Sequence, residues 1–379
     1  MATAKSEKIK RRWWFVRQFL WSLVCFLGGA LLVLSFYDPM LLKLRGTVPH
    51  PRPVPEPAPG TMVVGPLAKG DWKFDSDKIP WEPVLPLAQI SDAAYRQGDE
   101  LEATLRKWGL STLQEYTHGS MYACVASNDD AVVIAFRGTN QDQLADWLAD
   151  ANIRSDKVAD GNIHQGFHLA TRDMLPELVQ AVKDQGGERK KVWVTGHSLG
   201  GAMALVFTYD CIKSADIKPV GLVTFGQPLV VDAPLAVYLN EQLKGRYVRF
   251  VHSGDAVTRI FPTFSHCGNL VWFRDGSYIF RRPDALIAAA RRKGAEEALV
   301  YGEDAGPMSK EEFRKFQAQL KQRQPRPRVS KRRRDLQAAG APAAIEDHYM
   351  AGYLHWIVVL SERERATSAT STPLATPER

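Results

Sequence analysis

The stretch VWVTGHSLGGAMALV, Val192–Val206, constrains the fold of this chain more than any other. β-forming residues run straight into Gly196-His197-Ser198-Leu199-Gly200, and a helix-forming run follows at once. A strand that becomes a helix in so few residues must turn sharply, and the positions around the central serine can then carry almost no side chain. Such a turn lifts the serine Oγ to the carboxyl edge of a sheet. It also sets a helix N-terminus beneath it, where free amide groups stabilise developing negative charge. The strand–turn–helix context around G-x-S-x-G therefore presents Ser198 as a nucleophile.

A serine hydroxyl is a weak nucleophile at neutral pH and needs a base that is itself oriented by a carboxylate. With such a turn the chain order is serine, acid, histidine. Asp255, directly after the apolar run YVRFVHSG, is placed as a loop acid after a later strand. Asp232 follows a proline turn nearer the serine and is the less suitable carboxylate. Three histidines follow Asp255. His266 is only eleven residues on, entering a hairpin, and reads as structural. His348 opens a final helix, where a loop can deliver it to the serine, and His355 lies later on the same helical face, packed against the core. His348 is the expected base. Two donors complete an oxyanion hole: the Leu199 amide, next after the nucleophile, and a group at Gly138-Thr139 after the strand VVIAFRGT.

Around this turn the pattern is α/β. VGLVTFG and YVRFVHS are continuous apolar runs, as in strands covered on both faces. SMYACVAS and AVVIAFRG form a hairpin about a polar turn, and NLVWFRDGSYIF forms another at Asp275-Gly276. Helices are expected over SDAAYRQGDELEATLRKWG, over NQDQLADWLAD with Leu144, Trp147 and Leu148 on one face, near 168–185, and over 199–213. Alternating strands and helices predict a mostly parallel central sheet.

The flanks differ. Residues 1–18 carry a net charge of +5, and Phe19–Tyr37 contains no charged residue, close to the ~20 residues that span a bilayer. Trp13, Trp14 and Trp21 on one side and Tyr37 on the other suit the interfaces. The expectation is a retained single transmembrane helix at 19–37, with a basic cytoplasmic N-terminus and everything beyond on the extracytoplasmic side, periplasmic or luminal. A cleaved signal peptide is the competing reading, but LLVLSFYDPM holds no small-x-small cleavage pattern. Proline at every second position from Pro49 to Pro59 makes 38–70 an extended spacer. The folded domain is expected over 71–361 and a disordered tail over 362–379. An insertion at 281–340 holds the helix SKEEFRKFQAQLKQRQ, opened by a Ser309/Glu312 capping box, and 281–335 carries a net charge of +8. The overall +7 thus resides in two segments, with the remainder acidic. Cys25, Cys124, Cys211 and Cys267 show neither metal spacing nor a disulfide framework and read as isolated thiols.

AFRGT (135–139), DWLAD (146–150), IHQGFHLA (163–170), VTGHSLGGAMA (194–204), TFGQPLV (224–230), VRFVHSGDAVTRIFP (248–262), HCGNLVWF (266–273) and DHYMAGY (347–353) occur in that order. Together they resemble the class 3, fungal-type lipases, a branch of the α/β-hydrolases. The resemblance implies a serine hydrolase that cleaves carboxylic esters of lipids through an acyl-enzyme, with Ser198, Asp255 and His348 as its triad and Thr139 and Leu199 as its oxyanion hole. It implies a helical lid around 140–150 that opens Leu144, Trp147 and Leu148 toward lipid. No metal or organic cofactor is implied. An acyltransferase using the same triad and a catalytically dead scaffold are the alternatives. Val257 replaces a proline common after the family's acid, and the 281–340 insertion exceeds the family's usual length. Clustered Lys/Arg in 281–335 would meet anionic phospholipid headgroups. The KRRR at 331–334 matches a nucleic-acid patch, which a membrane span upstream argues against.

Overall fold

The computed structural model describes residues 65–69, 72–76, 78–214, 217–283, 307–322, 345 and 347–370. Ten strands occur among them: β1 (Thr112–His118), β2 (Met121–Ser127), β3 (Ala131–Arg137), β4 (Ser155–Val158), β5 (Gly161–His164), β6 (Lys191–His197), β7 (Gly221–Phe225), β8 (Tyr247–His252), β9 (Asn269–Arg274) and β10 (Ser277–Arg281). The helices are α1 (Trp81–Ala93), α2 (Asp99–Lys107), α3 (Gln141–Asp150), α4 (Gln165–Asp184), α5 (Leu199–Ser214), α6 (Ala233–Gln242), α7 (Lys310–Lys321) and α8 (Met350–Thr370).

Eight strands form one sheet in the order β1-β2-β3-β6-β7-β8-β9-β10. Its centre, β3 to β9, is parallel, and both margins are antiparallel. Four of the seven pairings are parallel, in line with the expected mostly parallel sheet, and the antiparallel margins make the whole sheet mixed. The reason is local: polar hairpin turns after β2 and β9 return the chain at once, whereas a parallel neighbour needs a crossover helix. At Asp275 and Gly276 φ is 51° and 75°, the left-handed pair that a two-residue hairpin turn requires.

Both faces of the sheet are covered. Alternate residues of β3 show this, since Val132, Ile134 and Phe136 join a core with α4, α5, α6 and α7, while Ala131, Val133 and Ala135 join one with α1, α2 and α8. The unbroken apolar run of β3 in the sequence is this double burial. Cys124 and Cys267 are buried free thiols pushed up to about 12 by desolvation, which makes them inert packing groups.

Several expectations need correction. The single helix expected across 91–109 is two, α1 ending at Ala93 and α2 beginning at Asp99. The chain between them reverses at Gly98, whose φ is 59°. Helix α1 itself begins ten residues earlier than expected. Pro83 sits in its first turn, where no intrahelical N–H is needed, and Pro86 is accommodated inside the helix. Strand β1 escaped the sequence reading because it is largely exposed and shows no clean alternation. Helix α8 continues to Thr370, into the segment expected to be disordered, tied by Arg363 Nη1 to Gly276 O (3.0 Å) and by the Tyr278 hydroxyl to Glu364 (2.8 Å).

The expected transmembrane helix is withdrawn. Among the described residues no helix is long and apolar enough to cross a membrane. The longest, α8, carries Glu362, Arg363, Glu364 and Arg365 in sequence. Residues 19–37 and the proline run 49–59 lie outside the described residues, as do 284–306 and 323–344 of the insertion, whereas Gly65–Lys69 of the expected extended spacer 38–70 form a short 3-10 helix with Leu67 buried in the core.

Candidate active site

Strand β6 ends at His197, helix α5 starts at Leu199, and Ser198 alone makes the turn with φ of 59°. A left-handed non-glycine residue costs about 1–3 kcal/mol. Here the Ser198 amide recovers a bond to Phe225 O on neighbouring β7 (2.9 Å). The surrounding glycines follow from close backbone approach. A Cβ at 196 would press on the Gly200 carbonyl carbon at 2.5 Å, and one at 200 would press on the Phe136 carbonyl carbon at 2.6 Å. The second contact holds the α5 N-terminus against the end of β3, and the loop after β3 therefore lies beside Ser198. A Cβ at Gly138 would stand 2.8 Å from that of Ser198. Leu199 is buried as the first residue of α5, and Thr139 is half-buried in the loop. A first-turn helical amide has no intrahelical acceptor, which leaves the Leu199 N–H able to serve an incoming oxygen.

Asp255 and His348 meet across the ends of β8 and α8. The His348 Nδ1–H donates to Asp255 Oδ2 at 2.8 Å, and both side chains are buried. Because a carboxylate only accepts, this bond sets the tautomer and leaves Nε2 of the neutral ring with a lone pair. His348 Nε2 and Ser198 Oγ are both buried and have no hydrogen-bond partner among the described residues. Asp255 is itself held: Oδ1 accepts from the Val257 amide (2.9 Å), and Oδ2 accepts from the Tyr353 hydroxyl (2.6 Å). Gly226, with φ of 59°, lies against this pair, and a Cβ there would meet His348 Nδ1 at 2.9 Å and Asp255 Oδ2 at 3.0 Å.

The alternatives are occupied elsewhere. Asp232 caps α6 by accepting from the Leu235 amide (3.1 Å) and also holds Asn162 Nδ2 (2.6 Å). His266 donates from Nε2 to Thr258 O (2.8 Å) in the core, where burial first and Arg249 second hold its pKa well down. His355 packs edge-on against Trp356.

Helix α3 lies with its apolar side inward. Leu144 and Leu148 are buried, and Trp147 contacts Phe167 and Phe261, each at 6.1 Å between ring centres. Helix α7 of the insertion packs on it. The Gln317 amide donates to the carbonyls of Leu148 (3.1 Å), Ala149 (3.3 Å) and Ala151 (2.9 Å), which α3 leaves free at its C-terminus. Lys321 pairs with Asp150 (3.2 Å), and Phe313 meets Phe261 edge-on (5.8 Å). The capping box at Ser309 and Glu312 is present. Most of the +8 segment lies outside the described residues, and within α7 Lys315 is paired with Glu311 (2.7 Å).

Three residues around the site were not singled out from sequence. Tyr353 stands within DHYMAGY, one helical turn beyond His348, and its hydroxyl also accepts from the His252 amide (3.1 Å). Burial, then the Asp255 charge, drives its phenol pKa well up, so it remains a donor. His197 and Tyr95 meet through a hydrogen bond of 2.8 Å. The sequence carries no cue for that contact, which depends on the end of α1 meeting the end of β6.

Residues 133–265 match the family model described as Lipase (class 3). The chain is 33% identical over 168 residues to a lipase of Rhizomucor miehei, covering 41% of this chain and 46% of that one. It is 26% identical over 215 residues to a triacylglycerol lipase of Ricinus communis (41% and 40% covered). It is also 26% identical over 181 residues to a secreted mono- and diacylglycerol lipase of Malassezia globosa (43% and 60% covered). The chain thus spans about half the length of these curated relatives. Among solved structures it is similar to the Rhizomucor miehei lipase propeptide complex, with TM-score 0.44, 27% identity, and 53% and 73% of the two chains covered. The Malassezia relative is named as secreted, which together with the absence of a spanning helix among the described residues overturns the single-pass localisation expected above. Over residues 133–265, then, the chain matches the class 3 lipase family model.

Proposed function

We propose that the chain is a carboxylic ester hydrolase acting on lipid esters, triacylglycerol or phospholipid, with Ser198 as nucleophile, His348 as general base and Asp255 as its orienting carboxylate. The observation that carries this reading is the 2.8 Å His348–Asp255 bond, set beside a serine held at φ 59° whose Oγ is buried and unpartnered. The names of the relatives support the substrate class: a triacylglycerol lipase in one case, and a mono- and diacylglycerol lipase in another.

In this mechanism His348 Nε2 removes the Ser198 proton as Oγ attacks the ester carbonyl. Asp255 stabilises the imidazolium without taking its proton. The Leu199 and Thr139 donors hold the oxyanion, worth about 10²–10³ in kcat for one such donor. His348 then protonates the leaving alkoxide, and water activated by the same ring releases the acid. Helix α3 is the lid. Its inward apolar face and the near-complete burial of Ser198, Asp255 and His348 describe a closed site that must open for a lipid to enter. The ester substrate sits at a lipid–water interface, and exposure of Leu144, Trp147 and Leu148 to lipid offsets the loss of their packing on opening. The domain carrying this chemistry is 71–361, extended by α8 to Thr370.

The test is fatty-acid release by the full chain from anionic phospholipid vesicles and from a triacylglycerol emulsion in parallel, with Ser198→Ala beside both. Release that survives Ser198→Ala refutes the reading. Faster release from vesicles, lost at high salt, identifies a phospholipase that uses the basic insertion on headgroups. Salt-insensitive preference for the emulsion identifies a neutral-lipid lipase.

A further inference from the structure

Contacts among four separate stretches of chain join the oxyanion loop to His348. The Tyr95 hydroxyl packs against Gly138 of that loop. Tyr95 meets His197 Nδ1 at 2.8 Å, and His197 Nε2 meets the His348 main-chain carbonyl at 2.7 Å. The directions are forced. A carbonyl only accepts, so Nε2 must carry the proton, and Nδ1 of a neutral ring must then accept. Tyr95 therefore donates to Nδ1. The His197 and His348 rings lie 4.7 Å apart between centres, and Tyr95 packs edge-on to His197 at 5.8 Å.

We propose that His197 and Tyr95 are positioning residues that set the distance between the two halves of the catalytic machinery. Tyr95 anchors the loop that carries Thr139, His197 anchors the backbone that carries His348, and the bond between them joins the two. The inference rests on the reading of Ser198 and His348 given above. Neither residue touches the substrate, and each acts through a main-chain group next to one that does.

The residue before Ser198 could be any side chain that packs, yet here a buried histidine has both nitrogens engaged. Burial, and then the neighbouring His348, hold its pKa well below the usual value, while burial keeps the Tyr95 phenol protonated. Both groups therefore keep the one protonation pattern in which every bond has a donor and an acceptor. A protonated His197 would lose its acceptor for Tyr95 and would face His348 at the moment when that ring becomes cationic. The packing at Gly138 points the same way. A Cβ there would stand 2.6 Å from the Tyr95 hydroxyl and 2.8 Å from the His197 carbonyl, so the loop is seated on this pair with no room to spare.

The experiment uses the full chain and p-nitrophenyl butyrate, with kcat and KM measured for Tyr95→Phe, His197→Leu, His197→Gln and the Tyr95→Phe/His197→Leu double variant. Tyr95→Phe removes one buried oxygen and should lower kcat by about tenfold or more with KM within about twofold, the signature of misplaced machinery and not of lost binding. The double variant should be no slower than His197→Leu, because the two residues form one chain. His197→Gln keeps an amide donor for the His348 carbonyl and an acceptor beside it, and should recover much of the kcat lost in His197→Leu. Multiplying effects, a Gln variant no better than Leu, or a Tyr95→Phe kcat within about twofold of the parent overturns the inference. If His197→Leu does not fold, Tyr95→Phe decides alone. Ser198→Ala is run alongside: activity surviving there defeats the functional reading, whereas an inactive Ser198→Ala with an unaffected Tyr95→Phe defeats only this one.

Discussion

Substituting Gly200 by alanine tests the link between the turn and catalysis, because its consequence follows from the contacts at that position. The new Cβ would lie 2.6 Å from the Phe136 carbonyl carbon and 2.8 Å from that of Arg137, both main-chain atoms that cannot rotate away. Carbon atoms sit comfortably at about 3.5–4.0 Å, so the N-terminus of α5 and the end of β3 must separate by ~0.7–0.9 Å. Those two ends carry the Leu199 amide and the Thr139 loop. A displacement of about 1 Å in such machinery costs on the order of 10²-fold in rate, or ~2.7 kcal/mol of barrier. The overpacking itself should cost about 1–3 kcal/mol of stability. The measurements are kcat on p-nitrophenyl butyrate and a thermal melt of the same preparation. Gly201→Ala serves as the neighbouring comparison. Its Cβ would meet Gln227 Cβ at 3.1 Å, the Gly196 carbonyl oxygen at 3.2 Å and Thr224 Cβ at 3.3 Å, contacts relieved by a shift of a few tenths of an ångström, so its kcat should fall much less. A folded Gly200→Ala protein with kcat within about threefold of the parent would refute the argument that this contact sets the oxyanion geometry.

Asp255→Asn should lower kcat by about 10⁴, since an amide at this site disturbs the tautomer that Asp255 imposes on His348; near-parental turnover of the variant would remove Asp255 from the mechanism. Phe313→Ala should cost about 3–5 kcal/mol or detach α7 locally, since Phe313 is buried and packs on Phe261; hydrogen exchange in α3 and α7 should rise together, and unchanged exchange in α3 contradicts the packing of α7 on α3. Stability should also fall with acid. His164, His197 and His266 have pKa values lowered by burial from 6.5, so the unfolded chain binds more protons and stability is lost as pH drops below about 6.5. Asp210, whose carboxyl is raised to about 6, takes up a proton in the folded state and offsets part of this. Each uncompensated proton amounts to about 1.4 kcal/mol per pH unit, and urea midpoints equal at pH 7.0 and 5.5 would contradict this balance.

The elements that could be read from sequence were those whose pattern is local. The 192–206 stretch contains its own explanation, because two glycines flanking a serine between a strand and a helix admit few other geometries. The hairpin at Asp275-Gly276 and the capping box at Ser309 are equally local, and both occur as expected. Thr112–His118 was missed because an exposed strand carries no burial signature. Residues 91–109 were merged into one helix because the reversal at Gly98 is short and both sides are good helix formers.

The expectation at Phe19–Tyr37 rested on hydropathy, a basic flank and the placement of Trp and Tyr, and nothing among the described residues upholds it. A run of apolar residues records a preference for leaving water without saying what receives it. The choice of Asp255 over Asp232 was a matter of chain order, and only the folded molecule shows their partners: one carboxylate holds His348, the other caps α6. Local chemistry along the chain was enough to propose Ser198 as the nucleophile, since the turn, the glycines and the helix start lie within ten residues. The Tyr95–His197–His348 chain, Tyr353 on Asp255, and α7 across α3 join residues separated by 102, 151, 98 and 166–169 positions respectively. No periodicity or spacing encodes such contacts, because they exist only once the sheet has brought its strand ends together.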